Sequence, residues 1–96
     1  MKKQRLFKMT EIEQNMLAKA LWDIRRSDPD RIGGFVHKVQ NVPKRRLYLS
    51  DTEFRLSLAA LNCLRSAYLS AGRYSDGIDA VILKLMQTKY RRAPVR

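Results

Sequence analysis

Acidic residues, cysteine, histidine and long apolar runs are all scarce in this chain, and each scarcity closes off a class of function. Its nine Asp and Glu face 20 Lys and Arg, a net charge of +11 over 96 residues. The single cysteine, Cys63, cannot form an internal disulfide. It falls within an apolar helical pattern and reads as a small packed hydrophobe in a reducing compartment. The single histidine, His37, has neither a glycine elbow nor an acidic orienter beside it and reads as a surface or half-buried side chain. One Cys and one His cannot close a metal's ligand shell, and Gly33-Gly34 lacks the Lys-Ser/Thr of a phosphate-cradling loop. No metal, no cofactor and no enzymatic activity are therefore expected. Ala80-Val81-Ile82-Leu83 is about the longest apolar run, far below the ~20 residues that span a bilayer. Lys8 closes the pair Leu6-Phe7 too soon for a secretory signal, so cytoplasmic residence without membrane contact is the expectation.

What is present is an ordered use of the few acids. Eight of the nine sit where a helix would begin: Glu11 and Glu13, Asp28 and Asp30, Asp51 and Glu53, Asp76 and Asp79. Carboxylates in a first turn accept hydrogen bonds from unpaired N–H groups and lie at the positive end of the helix dipole. Only Asp23 lacks such a place. Folding thus consumes the negative groups locally and leaves a cationic surface, which points to a polyanionic or acidic partner.

The length and the 45% apolar content fit one helical domain over residues 1–96. Residues 1–9 carry four cations and no acid and read as a flexible or loosely docked basic arm. Thr10-Glu11-Ile12-Glu13 is a capping box that opens a first helix, with Ile12, Met16, Leu17, Ala20, Leu21 and Ile24 at helical spacing. Asp28-Pro29 opens a second helix through about Val39, with Ile32, Phe35, Val36 and Val39 on one face. Gly33-Gly34 weakens that helix, and a strand over Phe35–Val39 competes with it. Residues 41–49 run extended around Pro43.

Ser50-Asp51-Thr52-Glu53 repeats the capping box and opens the longest helix, about 51–71, ended by Gly72. Apolar residues, Cys63 and Ala67 among them, cover most of its circumference, so it must be covered on more than one side, by an internal core or by a twofold partner. A last helix over 76–91 turns Ile78, Val81, Ile82, Leu85 and Met86 inward and Ala80, Lys84, Gln87 and Arg91 outward, and forms an antiparallel hairpin with the third. A basic tail, 89–96, contains Pro94. The expected fold is all-α, a bundle of about four helices.

The cations form four patches: Lys2, Lys3, Arg5 and Lys8; Arg25, Arg26 and Arg31; Lys44, Arg45 and Arg46; and Lys89, Arg91, Arg92 and Arg96. Arginine forks suit phosphates, and Tyr48 and Tyr90 stand beside two of the patches where they can stack on bases. Cations at a helix end also compensate the dipole, which gives Lys89–Arg92 a second, purely structural reading. The helix over 51–71 offers too narrow a polar stripe for a helix-turn-helix recognition element, and Lys84, Gln87 and Arg91 of the last helix equally suit an ordinary solvated face.

Leu49-Ser50-Asp51-Thr52-Glu53-Phe54-Arg55, Ala60-Leu61-Asn62, Leu64-Arg65, the run Ala71 to Asp79 through Gly72-Arg73-Tyr74, and Leu83 and Leu85 resemble a group of small helical proteins of Gram-positive bacteria and their mobile elements. The resemblance covers roughly residues 49–88 and implies a phage or mobile-element setting rather than a mechanism. Three roles stay open: a binder of nucleic acid through phosphates, an inhibitor or adaptor docking on a host nucleic-acid-processing or defence enzyme in the manner of an anti-CRISPR, and a ribosome- or nucleoprotein-associated factor.

Overall fold

Thr10 and Ser50 each start a helix as their glutamates three residues on predict. Glu13 N–H donates to the Thr10 hydroxyl and Thr10 N–H to the Glu13 carboxylate; Ser50 and Glu53 repeat the pair of bonds. These caps begin α1 (Glu11–Asp23) and α3 (Asp51–Ser70) in a computed structural model that describes residues 3–92. Asp28 accepts from Arg31 N–H to begin α2 (Pro29–Asn41), so the helix prevails over the competing strand across Gly33-Gly34. Asp76 and Asp79 occupy the first turn of α4 (Asp76–Met86). Gly72, at φ +73°, ends α3, with Arg73 N–H donating to Tyr68 O and Gly72 N–H to Leu69 O.

The described residues are mostly helical, but an all-α fold is not what forms. Lys3–Lys8, expected as a basic arm, is β1, the central strand of a three-stranded antiparallel sheet. Its neighbours are β2 (Arg46–Leu49) and β3 (Lys89–Arg92), in the order β2-β1-β3. The last helix accordingly stops at Met86 rather than continuing to 91. Thr88 ends it: its hydroxyl donates to Leu85 O at 2.6 Å, competing with the helical ladder, and the next four residues take the open side of β1. Lys2, Pro94 and Arg96 lie outside the described residues.

One apolar cluster joins sheet and helices, with Phe7, Leu17, Leu21, Leu47, Leu49, Leu61 and Leu85 fully buried. Alternation along the strands decides the two sheet faces: Phe7, Leu47 and Leu49 point into the cluster, where α3 packs against β1 and β2. Burial corrects three details of the sequence reading. Cys63 is exposed, because the buried stripe of α3, Ser57, Ala60, Leu61 and Leu64, is narrower than its apolar pattern. Ile12 and Met86 are also exposed, at 75% and 59%. Among the described residues no helix is long and apolar enough to cross a membrane.

Candidate nucleic-acid interface

The pairing register places every strand side chain on one of two faces. Arg5 lies opposite Leu49 and Tyr90, and Phe7 opposite Leu47, on the face toward the helices. The other face carries Gln4, Leu6 and Lys8 from β1, Arg46 and Tyr48 from β2, and Lys89 and Arg91 from β3. It contains four exposed cations and no carboxylate. None of the four forms an ion pair among the described residues.

Lys8 and Arg46 are directly opposed across the β1–β2 ladder. Like charges in that position repel and destabilise the sheet. Lysine on an outer strand is a common guard against edge-to-edge aggregation, which would account for Arg46, Lys89 and Arg91 but not for Lys8 on the central strand.

The approach to β2 adds two more cations on a strained turn. Lys44 and Arg45 have φ of 55° and 54°, and Arg46 N–H donates to Pro43 O, the hydrogen bond of a type I′ turn. Such turns favour Asn-Gly, and a side chain with a Cβ held in the left-handed region costs about 1–2 kcal/mol. Arg45 O accepts from Met9 N–H at 3.0 Å, which carries the turn onto the end of the sheet, and Arg45 approaches Glu11 at 3.8 Å.

Where β3 begins, opposite Leu6, the last turn of α4 stands beside Phe7 and Lys8 and leaves an open cleft of about 370 Å³. Leu6 supplies apolar surface there, with the buried Phe7 behind it, Gln87 and Thr88 polar groups, and Lys8, Lys84, Lys89 and Arg91 positive charge. The Lys84 ammonium is fixed by Glu13 Oε1 at 2.6 Å. Partial burial alone would push the Glu13 carboxyl up; the hydrogen bonds from Lys84 and Thr10 and the Lys84 charge outweigh it and hold the group below its ordinary range. Glu13 is thus a cap of α1 and a tether of α4 at once.

The remaining residues singled out from the sequence lie elsewhere. Tyr90 is on the helix-facing side, where its ring and that of Phe54 hold the Arg5 guanidinium at 4.7 and 4.1 Å and its hydroxyl donates to Asp51 at 2.8 Å. Arg5 also donates to Thr88 O, so this stack fastens β3 to α3 rather than offering a surface for bases. Arg92 is on Tyr90's side, opposite Lys3. Arg25 lies over the Trp22 ring at 3.9 Å and Arg31 pairs with Asp28, near the start of α2; it is Lys38, roughly 10 Å further along that helix, that reaches Tyr48 O. Arg25, Arg26 and Arg31 therefore form a separate group. Lys8, expected in a cationic patch of a basic arm, Leu6 of the same arm, and Lys84 and Gln87, expected on an ordinary solvated face, lie on this outer face or at the cleft beside it. Leu6-Phe7 side by side in the sequence blurs the alternation that would have revealed the strand.

Among the described residues no cluster of three or more His, Cys, Asp or Glu could hold a metal ion. Comparison with protein families, with curated proteins and with solved structures gives no match.

Proposed function

We propose that this protein is a non-enzymatic binder of nucleic acid, which it engages through phosphates on the outer face of its sheet, with weak sequence preference. The observation that carries this reading is the unpaired cation set of that face, with Lys8 and Arg46 opposed and no carboxylate among the strands. A sheet retaining such repulsion gains from an anion placed between the charges, and phosphate contacts position a protein on nucleic acid without selecting bases. A phage or mobile element, the setting implied by the resemblance of residues 49–88, belongs to the same proposal.

The test is fluorescence anisotropy of a labelled oligonucleotide against salt. Four phosphate contacts give a log–log slope of roughly −3 to −4, from about 0.7 to 0.9 per contact. Binding that is absent at low salt, or insensitive to salt, overturns the reading.

Docking on an acidic protein surface is the second reading. It is favoured by Leu83 and Met86, 57% and 59% exposed on either side of Lys84. Exposed apolar side chains beside cations suit a protein partner better than a phosphate backbone. Under the first reading Leu83→Ser with Met86→Ser leaves oligonucleotide binding within about twofold of the original, since surface changes outside a contact have little effect.

A further inference from the structure

Resting on the reading above, we propose that the ligand of the sheet face is a single strand, with one unpaired base seated in the cleft between β1 and the end of α4.

The layout of the cations comes first. Neighbouring strands lie ~4.8 Å apart and alternate residues of a strand ~6.8 Å apart, so the register converts directly into a map. Arg46 and Lys8 are neighbours across one ladder; Lys89 is one strand over and two residues back from Lys8; Arg91 is two residues further along β3. The steps are therefore ~5, ~8 and ~7 Å, in single file diagonally across the sheet. Each is of the order of the separation between successive phosphates of one strand. A duplex offers two phosphate rows with a groove between them, and a single file of cations meets only one row.

The cleft argues in the same direction. Its volume of about 370 Å³ admits a nucleobase, its accessible apolar surface comes from Leu6, and it opens beside Lys8, Lys89 and Arg91. Gln87 brings an amide able both to donate to and to accept from a base edge. Lys84 is held in place by Glu13 through one of three ammonium donors, which leaves two for a ligand. A paired base cannot enter a concavity without being extruded, at a cost of a few kcal/mol, whereas an unpaired one enters freely. Next to Leu6 on the opposite side, Tyr48, partly exposed, offers its ring to a second base.

The experiment compares labelled single-stranded DNA, single-stranded RNA and duplex DNA of one mixed sequence, about twelve nucleotides long, within the span that such surfaces occupy. Either single strand binding at least about tenfold more tightly than the duplex upholds the proposal, and the tighter of the two identifies the source; a tenfold ratio is the scale of one base contact. Gln87→Trp, at an exposed position, fills the cleft and weakens single-strand binding about tenfold while duplex binding changes less than about twofold. Duplex binding as tight as single-strand binding overturns the inference and leaves the broader reading standing; no binding of any form overturns both. Adenosine monophosphate competing as strongly as the oligonucleotide assigns the cleft to a free nucleotide and overturns the inference. Should Gln87→Trp not fold, the single-strand to duplex ratio of the unaltered protein decides alone.

Discussion

The helices and their caps hold all nine carboxylates and give each a local place, whereas the strands hold none. Glu13, Asp28 and Glu53 cap, Glu11, Asp23 and Asp79 pair with cations, Asp51 accepts from Tyr90, and Asp30 and Asp76 sit in first turns. Glu13 and Glu53 do more: each receives a lysine from another helix, Lys84 and Lys38. The strands Lys3–Lys8, Arg46–Leu49 and Lys89–Arg92 instead collect Lys3, Arg5, Lys8, Arg46, Lys89, Arg91 and Arg92 with nothing negative among them. Structural need explains the helical carboxylates and not the outer-face cations. Under the proposed function, these charges, which folding does not use and which repel across the sheet, are the ones left to meet a ligand.

The contrast can be broken from either side. The largest effect is expected from the layer where structure rules: Phe7→Ala, at a position with no exposure, costs about 3–5 kcal/mol in denaturant unfolding. A loss under about 1 kcal/mol would mean that β1 is not part of the core. Next, Lys8, Arg46, Lys89 and Arg91 changed together to Ala lowers oligonucleotide affinity by about a hundredfold, near 2.7 kcal/mol, while the melting temperature holds or rises as repulsion is relieved. Arg55→Ala with Arg73→Ala, on the helical side, is the matched control and changes affinity by less than about threefold.

Glu13→Ala tests the double use of a helical acid and costs about 1–2 kcal/mol, from the lost cap and the lost partner of Lys84. Its pH dependence has a defined sign. Because the folded carboxyl titrates below its ordinary value, its contribution is present above pH ~4.3 and is lost as pH falls through the folded value. The acid limb of the stability curve measured with and without Glu13 checks this; identical limbs would contradict it. The smallest effect belongs to the turn. Lys44→Asn with Arg45→Gly relieves two left-handed residues and stabilises the protein by about 1 kcal/mol, yet weakens oligonucleotide binding severalfold. Stability and affinity both rising would separate the turn from the interface.

The helical layer was legible because its signals are local. A capping box spans four residues, and Gly72 needs only its own φ to end a helix. The sheet was not, because β1 finds its partners about forty and more than eighty residues away, and a pairing at such distance leaves no local mark. Lys89–Arg92 illustrates the difficulty: a cationic run after an amphipathic helix fits dipole compensation equally well, and only the vacant side of β1 makes it a strand. Of the site, Lys44, Arg45, Arg46, Tyr48, Lys89 and Arg91 were legible as charge and aromatic neighbours. Their common face was not, nor was the opposite placement of Tyr90, since a one-residue step along a strand reverses the face and only the register says which residues share it.

The salt dependence of oligonucleotide binding, measured side by side for the unaltered protein and for the variant lacking the charges of Lys8, Arg46, Lys89 and Arg91, tests most directly whether the outer sheet face binds the anion. The log–log slope is expected to become shallower by roughly 3 when those charges are removed. An unchanged slope, with affinity retained, would place the anion-binding surface elsewhere on the molecule and contradict the proposed function.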